Sequence, residues 1–471
     1  MPPPIATVRH AGLSLWQSAV AATIRSASTE DLASHQVLDH PMLRAATAHA
    51  QAAAAGAPVA PPAAGPAAGP QHPGLLAYLS GLHYGLAEAT RTNQAAPALE
   101  QEHRKYSEYD MLGWLGCQKT YLEYWEFGLR SPVYRDWKSQ GGGDPTYSLI
   151  PYRLPDDARV ALLADWSTGM DDSAALLAQI RADHDPTAVI HLGDVYYSGL
   201  QPECAANFLQ VFQKVFGDSP APVFNLPGNH DYYSGGGGFY WLLDNINSRP
   251  EWRQQASYFC LRTADDRWQF LGMDTGRHDW NPFTPEDPLA GCPYLEPTEI
   301  GWHQDKLDNF AGSTILLSHH QLLSARSAID SLTSPARYRN PHLMQVFSPY
   351  FPKIAAWFWG HEHSLGLFED GLFGLRKARL IGCSGYEAAQ GEDPYEQKYP
   401  EAPYRQPVVK LGMVDGYYNH GYAIADLKRA SPSDPITVSY YQIPSWSGDT
   451  EKPLPPDQPR LLATEQLFSI S

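Results

Sequence analysis

The sequence contains little cysteine, with five residues in a chain of 471. The number is odd, and no two cysteines stand at the C-x-x-C spacing that metal and redox sites use. The sequence therefore predicts neither a disulfide framework nor a thiolate zinc site. The five residues are Cys117, Cys204, Cys260, Cys292 and Cys383.

Long apolar segments are also missing. No run reaches the roughly 18 apolar residues that a membrane-spanning helix needs. The first residues, Met1 to Pro4, lack the basic region and the apolar core of a secretory signal. These absences lead us to expect a cytoplasmic protein that has no membrane partner.

Basic side chains are outnumbered, since 34 Lys and Arg face 51 Asp and Glu, and the formal net charge is −17. The electrostatic field of a protein with this net negative charge repels polyanions, so an extended nucleic acid is not an expected partner. The net charge does not exclude a small phosphate ester, because bound cations would make a pocket locally positive. The composition leaves the oligomeric state open.

The chain divides into three predicted regions. Residues 1–150 are expected to be mostly helical, with amphipathic patterns near residues 13–24 and 100–129. Between them, residues 51–70 are almost entirely Ala, Pro and Gly, a composition typical of a linker. Residues 155–445 are predicted to form the catalytic domain, and residues 446–471 a C-terminal tail.

Within the second region, short apolar strands alternate with helices, which predicts an α/β fold of layered sheets with flanking helices. Most of these strands are followed by polar residues, and ligands in such folds gather beyond the carboxyl ends of strands. We therefore expect one polar site at a sheet edge. Its blocks are Asp165-Trp166-Ser167, Gly193-Asp194-Val195-Tyr196-Tyr197, Gly228-Asn229-His230-Asp231, His319-His320 and Gly360-His361-Glu362-His363.

The oxygen-bearing blocks suit hard or borderline cations. Asp194 follows a strand and a glycine, and its two carboxylate oxygens could bridge cations about 3.5–4 Å apart. Asp165 offers a further anionic ligand, and Asn229 offers a neutral carbonyl oxygen. His230 could hydrogen-bond a phosphate or protonate the leaving oxygen, and Asp231 could orient His230 or hold it protonated. These two residues are the predicted catalytic pair.

The histidine blocks supply imidazoles. In extended backbone, His361 and His363 share one face, so each could reach one ion of a close pair, while Glu362 points elsewhere as a solvated charge. His319 and His320 point in opposite directions, so only one of them is expected to bind metal.

The motifs GDxxY, GNHD, a histidine after a strand, and GHxH, in this order, resemble the calcineurin-like metallophosphoesterase superfamily over residues 160–440. Many of its branches begin with Asp-x-His, whereas this chain has Ser167 at the histidine position. Together with Tyr197, three residues after Asp194, this change resembles the purple acid phosphatases, in which tyrosine replaces the missing histidine.

The resemblance implies a ligand set for two metals. Asp165, Asp194, Tyr197 and His363 would hold the first metal, with Tyr196 as the alternative phenol. Asp194, Asn229, His319 and His361 would hold the second, with His320 as the alternative imidazole. It also implies Fe(III) at the first position and Fe(II), Zn(II) or Mn(II) at the second, with no organic cofactor.

The expected function is therefore hydrolysis of a small phosphate ester, with a metal-bound hydroxide attacking phosphorus and His230 assisting the leaving group. A phosphomonoesterase is the leading hypothesis. The alternatives are a phosphodiesterase or nuclease on the same fold, and a non-catalytic scaffold that keeps the metallophosphoesterase fold.

Overall fold

The computed structural model of the chain describes residues 132–139, 149–217, 221–279, 292–329, 334–386, 388, 393–414, 416–431, 433–445 and 452–470. The predicted helices near residues 13–24 and 100–129 and the linker at 51–70 lie outside these residues.

The first sheet has six strands. They are β2 (Arg159–Leu163), β3 (Ala188–His191), β4 (Val223–Asn225), β13 (His420–Asp426), β14 (Ile436–Ile443) and β15 (Leu461–Leu467). Their order across the sheet is β15-β14-β13-β2-β3-β4. Because β2, β3 and β4 run parallel, their carboxyl ends open at the same edge. The remaining neighbours pair antiparallel.

The second sheet has seven strands. They are β1 (Arg153–Leu154), β5 (Phe259–Thr263), β6 (Trp268–Gly272), β7 (Ser313–Ser318), β8 (Ile354–Trp359), β9 (Leu365–Leu367) and β10 (Ala378–Ile381). Their order is β1-β5-β6-β7-β8-β10-β9. The central strands β6, β7, β8 and β10 are parallel. A short hairpin of β11 (Met413–Val414) and β12 (Tyr417–Tyr418) stands apart.

The helices connect and flank the sheets. The α-helices are α1 (Asp171–His184), α2 (Gln201–Glu203), α3 (Gln210–Phe216), α4 (Asn229–Tyr233), α5 (Gly237–Ile246), α6 (Pro297–Asp308) and α7 (Pro341–Phe347). A π-helical segment, Cys204–Leu209, joins α2 to α3, and 3₁₀ turns span Pro250–Trp252, Ser348–Lys353 and Leu372–Gly374. None of the described helices is both long and apolar enough to cross a membrane.

The alternation of side chains along β2 explains the layers. Val160 and Leu162 belong to the large core that also contains Leu316 and Trp357 of the seven-stranded sheet. Their neighbours on the opposite face belong to a smaller core, which α1 and α3 cover. Since successive strand residues point to opposite faces, the six-stranded sheet packs against the other sheet on one face and against helices on the other.

The α/β layered fold with flanking helices is confirmed. Two details differ from the sequence-based expectation. The segment predicted as a C-terminal tail contributes β15, whose Glu465 forms a buried ion pair with Arg379 of β10, a partner that sequence alone does not reveal. The predicted site also lies where the carboxyl ends of strands from two sheets meet, rather than at the edge of one.

Candidate metal centre

Strands from both sheets deliver the predicted ligands. Asp165 and Asp194 follow β2 and β3, and Asn229 begins α4 after β4. His319 follows β7 directly, and His361 and His363 follow β8. Backbone hydrogen bonds join these turns, since the amide of Asp165 donates to Gly193 (3.0 Å) and the amide of Gly360 donates to His319 (2.9 Å). The motifs scattered along the chain thus form one cluster.

The backbone of three ligand positions is strained. Asp165, Asp194 and His361 have φ angles of 54°, 74° and 69°. Non-glycine residues rarely adopt this region, and each instance costs on the order of 1–3 kcal/mol. Gly193, with φ of 113°, has no such penalty, and a Cβ there would lie only 2.6 Å from His319 Nδ1. The surrounding fold therefore holds these turns in the conformation that directs their side chains inward.

The first group of ligand atoms surrounds a phenol. The hydroxyl of Tyr196 donates to Asp165 Oδ1 (3.0 Å) and also lies 3.4 Å from Asp194 Oδ2 and 3.1 Å from His363 Nε2. His363 Nε2 is 3.5 Å from Asp165 Oδ1. Because one hydroxyl carries one proton, it cannot donate fully to both carboxylates, whereas a cation could bind all of these oxygen and nitrogen atoms.

This geometry favours Tyr196, the alternative phenol, over Tyr197, which the sequence predicts as the ligand. The Tyr196 hydroxyl lies 3.0 Å from Asp165 Oδ1 and 3.4 Å from Asp194 Oδ2. Tyr197 is half-buried and packs against Tyr196. The spacing of the GDxxY motif in the family that the sequence resembles predicts Tyr197 instead.

The second group of ligand atoms surrounds Asn229. Its Oδ1 lies 3.1 Å from His319 Nε2 and 3.1 Å from His361 Nδ1, and these two nitrogens are 3.3 Å apart. The amide of Asn229 donates to the hydroxyl of Tyr233 (2.7 Å), which directs the carbonyl oxygen toward the imidazoles. Since two facing imidazole nitrogens and an amide oxygen are all metal donors, this group also fits a cation.

Asp194 belongs to both groups. Its Oδ2 is 3.4 Å from His319 Nε2 and 3.4 Å from the Tyr196 hydroxyl, while its Oδ1 accepts the backbone amide of His230 (3.0 Å). One ligand atom from each of Asp165, Asp194 and His319 lies within 4.8 Å of the other two. A single carboxylate in contact with both groups is suited to bridge a close pair of cations.

The geometry also distinguishes the two adjacent histidines. His319 Nδ1 donates a hydrogen bond to the carbonyl of Leu192 (3.0 Å). This leaves Nε2, which faces Asn229, as the nitrogen that could bind a metal. His320 instead contacts the hydroxyl of Thr275 through Nδ1 (3.1 Å) and Asp279 through Nε2 (3.3 Å). One atom of His320 still lies within 4.8 Å of those of His319 and His361, but its closer contacts turn away from Asn229.

The electrostatics of the cluster favour positive charge. Burial opposes ionisation of Asp194, but His319 and His230 hold the pKa of its carboxyl well below the usual range. Burial likewise opposes protonation of His319, but Asp194 raises the pKa of that imidazole to about 9. Burial, Asp165 and Asp194 raise the pKa of the Tyr196 phenol, so without cations it stays neutral. Cations would offset each of these costs.

His230 and Asp231, the predicted catalytic pair, make different contacts. His230 is fully buried, its Nδ1 donates to the carbonyl of Tyr197 (2.5 Å), and its Nε2 lies 3.9 Å from Asp194 Oδ2. The carboxylate of Asp231 accepts the backbone amides of Asp194 (3.0 Å) and Gly228 (2.8 Å). Asp231 therefore joins two ligand turns, because as the third residue of α4 its side chain reaches back to the helix start. That Asp231 orients His230 or holds it protonated stays a prediction.

Three residues beside the centre were missed or misread from the sequence. The Tyr386 ring stacks on His363 (3.8 Å), and only its position after the apolar β10 could have indicated this. Glu203 accepts the backbone amides of Tyr197, Ser198 and Leu200, a role without a sequence signal. Glu362, interpreted as a solvated charge, is half-buried and accepts a hydrogen bond from Ser324 (2.5 Å).

A match to a known protein family covers the part of the chain that carries this cluster. Residues 158–365 match the family described as calcineurin-like phosphoesterase. This match supports the prediction of a phosphoric ester hydrolase. No curated protein matches the chain.

Several solved structures are similar at low identity. A purple acid phosphatase, PPD1, from yellow lupin (Lupinus luteus) aligns with 13% identity and a TM-score of 0.40, over 61% of this chain and 52% of the lupin chain. The chain thus spans about half the length of that protein. Phosphopantetheinyl hydrolase from Mycobacterium tuberculosis aligns with 14% identity and a TM-score of 0.30, over 54% of this chain and 98% of that one. A predicted phosphoesterase from Streptococcus pneumoniae aligns with 9% identity and a TM-score of 0.24, over 60% and 89%.

Proposed function

We propose that this chain, which carries a calcineurin-like phosphoesterase domain over residues 158–365, hydrolyses phosphate monoesters at a dinuclear metal site. The observation that supports the proposal most is the convergence of oxygen and nitrogen atoms around Asp194. The single hydroxyl proton of Tyr196 faces two carboxylate oxygens and the His363 nitrogen, and the nitrogens of His319 and His361 lie 3.3 Å apart. Cations bind such sets of carboxylate, phenol and imidazole atoms.

We assign Asp165, Asp194, Tyr196 and His363 to one metal and Asp194, Asn229, His319 and His361 to the other. The phenol and two carboxylates suit a hard Fe(III) ion, and the imidazoles and amide suit Fe(II), Zn(II) or Mn(II). Two cations in these positions would supply the charge that polarises a phosphoryl oxygen and acidifies a water molecule.

The residues themselves have separate tasks in this proposal. His319 keeps its Nε2 directed at the cluster because Leu192 fixes its other nitrogen. His230 keeps its Nε2 on the side of Asp194 because Tyr197 fixes its Nδ1, and from there it would protonate the leaving oxygen. Asp231 keeps the turns of Asp194 and Gly228 together. The monoester preference rests on the resemblance to purple acid phosphatases.

The test compares hydrolysis of p-nitrophenyl phosphate with that of bis(p-nitrophenyl) phosphate by the metal-loaded chain. We expect faster turnover of the monoester, and we expect Asp194→Ala to lose activity together with both ions. Asp157→Ala, which removes an exposed aspartate in the turn before β2, is the matched control and should retain activity.

Two results would contradict the proposal in different ways. Faster turnover of the diester would replace the monoesterase with a phosphodiesterase. If the chain binds no metal and hydrolyses neither ester, a non-catalytic scaffold would be favoured. Turnover at the wild-type rate by metal-loaded Asp194→Ala would contradict the assignment of Asp194 to the metal centre.

A further inference from the structure

An apolar rim borders one side of the proposed metal centre. Met170, Tyr197 and Tyr233 pack against the buried rings of Tyr196 and Tyr386. All three rim side chains are half-buried, so part of each remains open to solvent. We call these three residues the aromatic rim. They come from separate places, namely the residue before α1, the turn after β3 and the end of α4, and none carries a charge.

The rim is continuous with the centre through the two buried tyrosines. The Tyr196 hydroxyl contacts Asp165 and His363, and the Tyr386 ring stacks on His363 at 3.8 Å with an angle of 29° between the planes. The rings of Tyr196 and Tyr386 are 5.0 Å apart. A molecule whose phosphate is bound at the centre could therefore extend over the rim and contact only uncharged side chains there.

The position of His230 indicates which part of a substrate would lie there. Its ring is 4.7 Å from the Tyr196 ring and 4.7 Å from the Tyr233 ring, and its Nδ1 donates to the Tyr197 carbonyl. If His230 protonates the leaving oxygen, the leaving group lies beside His230, where Tyr197 and Tyr233 of the rim are its neighbours. The phosphoryl group would remain at the carboxylates and imidazoles.

We infer that the aromatic rim of Met170, Tyr197 and Tyr233 binds a planar, apolar leaving group, so that the preferred substrates are aryl phosphate esters. This inference rests on the proposed phosphoesterase function and adds its substrate class. A thioether and two phenol rings offer contacts that aromatic rings prefer. A small aliphatic or sugar-like leaving group would gain less, because it cannot stack.

Binding of two phosphonates tests the inference without turnover. Phenylphosphonate and methylphosphonate carry the same anionic group and differ in the ring, and neither contains a hydrolysable ester. We expect the full chain, reconstituted with iron and zinc, to bind phenylphosphonate about tenfold more tightly by calorimetry, the size that one good ring contact gives. Tyr197→Ala and Met170→Ala should each reduce this ratio by a factor of about three or more.

Two further variants separate the ring from other effects. Tyr197→Phe keeps the ring and should keep the ratio, whereas a metal-ligand role for Tyr197 would make this variant lose metal. Tyr350→Ala removes a half-buried tyrosine of the 3₁₀ turn Ser348–Lys353 and should leave the ratio unchanged.

Each outcome has one meaning. Equal affinity for the two phosphonates in the wild-type chain, binding of neither, or an unchanged ratio in both alanine variants overturns the inference. Turnover of p-nitrophenyl phosphate alongside equal phosphonate affinities would preserve the proposed function. A ring preference without turnover of any ester would support the rim as a binding site and contradict the hydrolase.

Discussion

Removal of Glu465 should weaken the attachment between the two sheets that form the metal centre. Glu465 lies on β15 of the six-stranded sheet, and both of its oxygens contact Arg379 of β10, at 2.7 Å to Nε and 2.6 Å to Nη2. The hydroxyl of Tyr440 donates to Oε1 (2.6 Å), and Lys377 donates to Oε2 (3.0 Å). Arg379 is fully buried, so loss of Glu465 leaves its charge with Asp370, at 2.7 Å from Nη2, as its remaining carboxylate partner.

The magnitude follows from the ionisation of the carboxyl group. Burial alone would raise the pKa of Glu465, but Arg379, Lys377 and Tyr440 lower it from 4.5 to about 2. One pKa unit corresponds to about 1.4 kcal/mol, so the ionised carboxylate contributes about 3 kcal/mol to stability. Glu465→Gln should therefore lower the free energy of unfolding by about 3 kcal/mol at neutral pH.

The sign of the pH dependence follows from the same shift. Because the folded-state pKa lies below the unfolded value, the stabilisation is complete above about pH 5 and is lost as the pH falls toward 2. The difference between the wild-type chain and Glu465→Gln, measured by urea unfolding at a series of pH values, should be constant from pH 6 to 8 and shrink below pH 5.

A surface pair provides the matched control. Glu396 pairs with Lys398 at 3.2 Å, and their side chains are 54% and 46% exposed. Glu396→Gln should change stability by less than about 1 kcal/mol, because exposed ion pairs contribute little. Equal effects of Glu396→Gln and Glu465→Gln, or a Glu465→Gln effect that does not vary with pH, would refute the reasoning.

Two further predictions concern the turns that carry the ligands. Gly228→Ala should lower metal affinity at least tenfold in equilibrium dialysis, because the new Cβ would collide with Asp194 Oδ1 and lie 2.8 Å from His319 Cε1. Gly237→Ala is the control: its Cβ would meet no atom within 4 Å, so this variant should bind metal normally. Normal affinity in Gly228→Ala would show that this turn does not set the ligand positions. Asp231→Ala should weaken metal binding about 10–100-fold, because it leaves the amides of Asp194 and Gly228 without their acceptor, whereas Asp231→Asn keeps an oxygen there and should lose less. Similar losses in both Asp231 variants would contradict the positioning role.

Much of the candidate site could be predicted because its residues follow apolar strands. Asp165, Asp194 and His361 each stand at a strand end, and parallel strands bring such ends together. The sequence could not show that Asp194 and His361 come from different sheets, since strand pairing depends on contacts far apart in the chain. The alternation of side chains predicts only one metal-binding residue in the His319-His320 pair, and of the two His319 has the contact with Asn229.

Other features depend on tertiary contacts that leave no local pattern. The choice between Tyr196 and Tyr197 depends on the turn after β3, where Glu203 accepts the backbone amides of Tyr197, Ser198 and Leu200. β15 lacks a clear alternation of polar and apolar residues, and its Glu465 is buried only because Arg379 lies opposite. Asp231 resembles a catalytic partner of its neighbour His230 in sequence, but helix geometry turns its carboxylate back toward Gly228.

Metal content together with the visible spectrum of the purified chain tests the central claim most directly. The proposed centre predicts two metal ions per chain, including iron, and an absorption band from iron bound to phenolate that disappears in Tyr196→Phe and persists in Tyr197→Phe. A chain that binds no metal after reconstitution, or a band that survives in Tyr196→Phe, would contradict it.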